Sequence, residues 1–540
     1  MTFKTLLKAT TAAALVTMGG SAWAATVAEG DTLADTQEYT YRLLDDIKSF
    51  DPQISTDVEG SMVLRDLFEG LVNSNPDGSD APGVAESWEV SEDGMTYTFK
   101  LRDDSKWSNG EPVTAGDFVY AWRRLADPAT ASEYAWYMEL MGVLNATEIT
   151  AGEAEPDTLG VTAIDDHTLE VKIDARRPYF TSMLTHPSTF PVNQKVVEGF
   201  GDQWTKPENI VGNGAYVLTD YQQGVQVVRE RNPMYWNNDE TILEKVTALV
   251  INDENIALTR YDAGELDKTE VPAGQYPALE AERPDETHSF PRSCSYIYMF
   301  NLGENGPEYL KDLRVRQALT YAINRDVVVD GILQGGQFPS YNWTHQATAG
   351  FVMPEIDYAG WTQAERDAKA KELLAEAGYG PDNPLEVTVN YNTSEGHRKI
   401  AIAVGQMWKQ TLGVKATLNN YEWKVHTDQM QAGDFEIARY AWCGDYNEPS
   451  TYTDFWYSTS GHNNAKYNNP EYDALVDESK TVEDPTALYP EMEAMLAADL
   501  PFTPIYQYTG VIMVKPTLKG WPFGDLMQNV YSRELYKTAE

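Results

Sequence analysis

Leu385-Glu386-Val387-Thr388-Val389-Asn390-Tyr391 reads as a strand, and its continuation decides the fold. Apolar residues at 385, 387, 389 and 391 alternate with polar ones, which sets one face for burial. From Arg398 to Leu412 the rhythm becomes that of an amphipathic helix, and Gly413 stops it. Val414 to Leu418 is a second strand pattern. Strand, helix and strand in succession make a β-α-β unit, which calls for an α/β lobe with strands at least partly parallel.

Just upstream, Thr362 and Glu365 form a capping box that opens a helix ending before Gly378. Earlier in the chain, Trp88 and Val90, then Tyr97, Phe99 and Leu101, alternate on either side of Asp93-Gly94. That is a hairpin whose turn can take positive φ. Thr114 and Asp117 start a helix through Phe118, Val119, Ala121, Trp122 and Leu125, and His167 to Ile173 alternates like a strand. The chain has 540 residues. Single cores stop growing near ~250–300 residues, so two or three lobes are expected. No fixed-period repeat or low-complexity linker separates them, so ordinary strand-like crossovers should join them.

The apolar share of 42% and mean hydropathy of -0.46 describe a soluble globular chain. Core packing must account for most of the 32 Tyr and 14 Trp; the remainder suit a wide, wet binding cleft, because these side chains have an apolar body and a polar tip. A net charge of -42 argues against nucleic acid or an anionic membrane as partner. Residues 1–24 read as a secretory signal: Lys4 and Lys8, a short apolar run from Ala12 to Met18, and Ala22-Trp23-Ala24 before a cleavage point after Ala24. The run is too short to span a bilayer, which needs ~20 apolar residues. No Cys follows it, so a free periplasmic product is expected rather than a lipid-anchored one.

Catalytic signatures are missing: no HExxH, GxSxG, Walker loop or GxGxxG after a strand. The seven histidines, at 167, 186, 288, 345, 397, 426 and 462, show no pair at ligand spacing, so neither a metal site nor a cofactor is expected. In an exported chain the two cysteines, Cys294 and Cys443, suggest a disulfide. Asp445, within Asp445-Tyr446-Asn447-Glu448-Pro449, is also good turn chemistry and on that ground alone would be a loop cap.

A series of blocks in fixed order changes that reading. They are Arg65-Asp66-Leu67-Phe68-Glu69-Gly70-Leu71; Ala81 to Trp88 through Lys106-Trp107-Ser108-Asn109-Gly110 to Tyr120; Asn213-Gly214-Ala215-Tyr216; Asn232 to Trp236; Arg314-Val315-Arg316-Gln317-Ala318-Leu319; and Trp442 to Pro449. Together they resemble the periplasmic oligopeptide-binding proteins of ABC importers, the family 5 extracellular solute-binding proteins, across nearly the whole mature chain. The residues of most of these blocks read as structural, with Arg314 to Leu319 a packed helix whose Arg stems lie along a surface.

The resemblance implies an α/β fold of the type II periplasmic-binding kind, cluster C: two lobes on a hinge and a smaller extra lobe. Lobe I would take 25–68, 194–293 and 510–540, lobe II 69–193, and lobe III 294–509. It implies a non-enzymatic monomer that captures short peptides and passes them to an inner-membrane permease. It also implies a Cys294–Cys443 bridge. Asp445 would pair with the peptide's α-ammonium, Arg439 and His397 would help hold its carboxyl end, and Tyr134, Trp423 and Tyr508 would line the cleft. Two positions depart from the pattern: Met430 replaces an additional arginine and Thr56, beside Asp57, a cleft glutamate. Carboxylate recognition would then rest on Arg439 alone, or favour other lengths or a modified peptide. A murein tripeptide, a glycan or a chelated metal as ligand, an exported peptide hydrolase, and a periplasmic chaperone or sensor are the rival readings.

Overall fold

The computed structural model describes residues 25–482 and 484–539; the expected signal segment lies outside the described residues. The β-α-β unit is present as the strand Glu386–Asn392, the helix Glu395–Leu412 and the strand Lys415–Tyr421. The two strands run parallel in continuous register, and the first also pairs parallel with the strand Ile437–Cys443. The helix begins at Glu395 rather than Arg398, because the Ser394 side chain accepts from the His397 N–H and winds three polar or small residues into the first turn. It ends at Gly413, whose φ of +72° is the left-handed conformation that closes a helix. Ile400, Ala401, Val404 and Trp408 form its buried stripe.

These strands belong to one mixed sheet of eleven strands. At its centre the strands Thr287–Phe300 and Phe502–Val514 pair antiparallel, with a shift of register between Pro291 and Ser295. On one side of the shift Phe502–Val514 also pairs with Lys268–Glu270, which continues to Glu38–Leu43 and Lys245–Val250. On the other side Thr287–Phe300 pairs with Ile437–Cys443. Two long strands therefore run through both halves of the molecule.

A separate four-stranded sheet holds the hairpin Ala85–Val90 and Thr96–Leu101, joined at Gly94 with φ +73°, and the strands Thr168–Lys172 and Val161–Asp165. The helix Ala115–Ala126 buries Phe118, Ala121, Trp122 and Leu125, and the Asp117 carboxylate accepts from the Thr114 N–H at 2.8 Å as its capping box requires. The helix Leu313–Tyr321 corrects one expectation. Arg314 lies at the surface, but Arg316 is buried and donates to the carbonyls of Leu310, Lys311 and Asp499. No helix among the described residues is long and apolar enough to cross a membrane.

One further helix, Val58–Leu67, is fixed at both ends. Asp57 caps its start by accepting from the Gly60 N–H at 2.5 Å. At its end Gly214 packs so closely that a Cβ there would meet the Asp66 carbonyl oxygen at 2.4 Å, and Asn213 bonds both the N–H and the carbonyl of Glu69. Asp66 accepts from Arg229 at 2.6 Å and from Ser532, while Arg229 also donates to the Tyr41 hydroxyl. Both members of this ion pair are fully enclosed, so removing the cation strands a buried carboxylate. Arg229→Met is expected to lower the unfolding free energy by about 3–5 kcal/mol in a urea titration; a loss below about 1 kcal/mol would contradict this role.

Candidate functional site

A cavity of about 370 Å³ lies between the two halves of the large sheet. All six residues expected to bind ligand line it: Tyr134, His397, Trp423, Arg439, Asp445 and Tyr508. They form two groups. Tyr134 donates its hydroxyl to Asp445 Oδ1 at 3.2 Å. Arg439 donates to Tyr508 Oη at 2.7 Å and to Asn392 Oδ1 at 3.1 Å, and lies 4.8 Å over the Tyr296 ring. His397 is next to Tyr296, with ring centres 5.6 Å apart, and Trp423 is next to His426, whose Nε2 bonds the Arg439 carbonyl at 2.8 Å. Arg439 and Asp445 are six positions apart on a chain that is strand as far as Cys443, or at most roughly 20 Å at ~3.3 Å per residue.

The loop carrying Asp445 is held in place. Cys443 is bridged to Cys294, its partner across the sheet. The Gly444 N–H donates to the Ser293 carbonyl, and the Asp445 N–H to Thr451 Oγ1, both at 2.8 Å. The side chain itself is only 7% exposed. Its Oδ2 has no hydrogen-bond partner, and among the described residues no Lys or Arg nitrogen lies within 4.0 Å of either oxygen. His186 Nε2 is 3.5 Å from Oδ1. Burial pushes the His186 pKa well below its usual value, and its Nδ1 accepts from the Ser188 N–H, so a neutral ring faces the acid. Burial also pushes the Asp445 carboxyl up to about 8, against the Tyr134 hydrogen bond and the field of Arg65. The site is a carboxyl with donors on one oxygen and nothing on the other.

The other end is a cation without a carboxylate partner. Arg439 Nε is unpartnered, as are His397 Nε2 and Trp423 Nε1. Burial lowers the His397 pKa well below its usual value, which leaves a neutral imidazole there. Met430 is buried in the apolar core rather than lining the cavity. Thr56 and Asp57 do line it, but Asp57 is occupied as the cap of the helix Val58–Leu67 and accepts from the Lys48 N–H as well.

The chain matches the family model "Bacterial extracellular solute-binding proteins, family 5 Middle" over residues 81–464. This protein belongs to that family. It is therefore a solute-binding component rather than an enzyme. It is 42% identical to the periplasmic oligopeptide-binding protein OppA of Escherichia coli, over 99% of each chain. Haemophilus influenzae OppA in complex with the peptide RPPGFSPFR superposes with a TM-score of 0.91 at 40% identity, covering 94% of this chain and 100% of that one. The periplasmic murein tripeptide binding protein MppA in its unliganded open form gives 0.66 at 42% identity, covering 95% and 99%. At equal relatedness, this solute-binding protein has the arrangement of the occupied relative rather than the open one.

Contacts between distant chain segments across the cavity agree with that arrangement. Asn392 donates to Asp45 at 3.2 Å, Ser394 donates to Glu254 at 2.7 Å, and Glu133 accepts from both Lys48 and Gln431. Asp45, His186, Glu59 and Arg65 also line the cavity, although they are not among the site residues expected from the sequence. A helix signal for Arg65 does exist: positions 58, 61, 62 and 65 fall on one face at helical spacing.

The proton held by Asp445 has a consequence for stability. Between pH 4 and pH 8 the unfolded chain has released it while the empty folded protein retains it, so this residue's contribution to stability falls as pH rises. Asp445→Asn is expected to raise the thermal midpoint of the ligand-free protein at pH 8 by an amount that vanishes toward pH 4. An equal shift at both would contradict the assignment.

Proposed function

We propose that this chain captures short peptides by their free amino terminus, in a cleft that closes on them, and hands them to an ABC permease of the inner membrane from the periplasm. Family membership and the OppA and MppA relatives support a peptide-binding component of an ABC importer. The observation that carries the finer reading is the unpartnered, enclosed Oδ2 of Asp445. A carboxylate there is costly until an opposite charge arrives, and a peptide's α-ammonium supplies that charge with hydrogen-bond donors attached. Amines without a peptide body lack the remaining contacts, and peptides without the ammonium leave the acid unpaired.

The lobes proposed for this motion are 25–68 with 194–293 and 510–540, the extra lobe 69–193, and 294–509. The two long central strands cross between the first and the last, and their register shift from Pro291 to Ser295 is the place we assign to the hinge. Closure then depends on ligand through contacts available only in the closed form. Asn392 links two of them: its amide reaches Asp45 across the cleft, and its carbonyl takes Arg439. A peptide carboxylate on Arg439, assisted by His397, would tighten that chain. The distance from Arg439 to Asp445, shortened by the reach of both side chains, suits peptides of about three to five extended residues. Trp423, Tyr508 and Tyr134 supply walls that tolerate varied side chains, with water filling what they leave.

Calorimetry with trialanine and N-acetyl-trialanine tests the reading. Acetylation of the peptide, or Asp445→Ala in the protein, is expected to weaken binding by about 100-fold or more, while the variant's melting temperature moves little. Equal affinities would overturn it. Because the empty site holds a proton near neutral pH, binding of trialanine at pH 7 is expected to release about one proton, read from the dependence of the heat on buffer ionisation enthalpy. Binding without proton release would show that Asp445 is already ionised in the empty protein.

A further inference from the structure

Arg65 lies on the cavity wall near the Asp445 end and is only 7% exposed. Its Nε is buried without a partner, and no hydrogen bond or ion pair to any described residue engages its guanidinium. This is exceptional within the chain. Every other buried arginine among the described residues, Arg229, Arg325 and Arg439 among them, holds a hydrogen bond or a carboxylate. Two neighbouring acids, Asp66 and Asp525, are committed elsewhere, and the uncommitted Asp445 is beyond ion-pair distance. Asp66 faces Arg229 and Ser532, Asp525 accepts from the N–H groups of Met527 and Asn529, and Asp445 is more than 4.0 Å away. A cation whose Nε–H is buried without a partner carries a desolvation cost, and no described residue pairs with its two terminal nitrogens.

We propose that Arg65 reads a carboxylate on the ligand itself, so that this protein prefers peptides with an acidic side chain in the first two residues. This preference rests on the peptide reading above and deepens it. Arg65 and Asp445 share one cavity, and the Arg65 charge acts on both Asp445 and His186. An ammonium on Asp445 therefore brings the first one or two residues, at ~3.3 Å per residue, within reach of the guanidinium. Bidentate pairing with a carboxylate is the geometry a guanidinium favours. The helix carrying Arg65 is capped at its start and pinned at its end, so the side chain is presented from a rigid element. Glu59, the acid on the same helix, is ~9 Å away along the axis, and burial makes it harder to ionise than an ordinary glutamate.

A rival use of Arg65 is to act on Asp445 alone, helping it ionise for any peptide. The two uses separate in calorimetry with matched tripeptides: glutamate or glutamine at position one followed by two alanines, and alanine-glutamate-alanine against alanine-glutamine-alanine. In the native protein, the acidic member of at least one pair is expected to bind about tenfold more tightly than its amide. In Arg65→Met that ratio is expected to fall to about one, and in Arg65→Lys to an intermediate value. The native comparison requires no variant, so a folding defect in Arg65→Met does not remove the test. Equal binding of acid and amide in both pairs, or a preference that survives in Arg65→Met, would overturn the proposal while leaving peptide capture intact. Failure of all four peptides to bind would overturn the peptide reading and this inference with it.

Discussion

An ionisable acid enclosed without a counter-ion is the constraint around which the rest of this molecule is arranged. Asp445 has one oxygen served by Tyr134 and faced by a neutral His186, and one served by nothing. A side chain in that state would turn toward solvent if its loop allowed it. The loop does not: the Cys294–Cys443 bridge, the Gly444 bond to Ser293 and the Asp445 bond to Thr451 hold the backbone on three sides. A bridge closing a long loop also stabilises the fold as a whole, by up to about 5 kcal/mol in the chain-entropy treatment. The same covalent link thus serves stability and preorganisation, and the second lowers the ordering cost of binding.

The cavity has the opposite character at its other end, where Arg439 has neutral partners only. A ligand with a positive head and a negative tail answers both poles at once, whereas a glycan answers neither. Polar bonds cross the cleft at Asp45, Glu254 and Glu133, the last an ion pair with Lys48 whose carboxylate stays partly exposed to screening water. A closed form held by such contacts would open readily when the poles are empty, which is what a carrier that must release its cargo needs. The present arrangement is more similar to that of the peptide-bound relative, with a TM-score of 0.91, than to that of the open one, with 0.66.

Much of the fold is legible because local signals are complete. Gly413 and the alternation around Val387 and Val389 specify the β-α-β unit, Asp93-Gly94 specifies the hairpin, and Thr362 with Glu365 specifies a helix start. The start of the helix at Glu395 escapes the pattern because Ser394 acts before any apolar period begins. The central strand Thr287–Phe300 is not legible: Pro291 interrupts it, and beyond Ser293 both of its faces are buried, so alternation disappears. Within the site, the six expected residues converge on one cavity although they are spread from 134 to 508, and family resemblance rather than spacing points to them. Arg65 reads as structural in the sequence because its significance lies in the partners it lacks, and only the folded arrangement reveals those.

Peptide capture by this protein turns on where the peptide's amino terminus goes. A crystal structure of the complex with trialanine measures that directly. The α-ammonium nitrogen is expected within about 3 Å of the Asp445 carboxylate, enclosed between the two halves of the large sheet. A peptide bound with its ammonium against another acid, or with Asp445 making no contact to it, would show that this carboxylate is not the anchor.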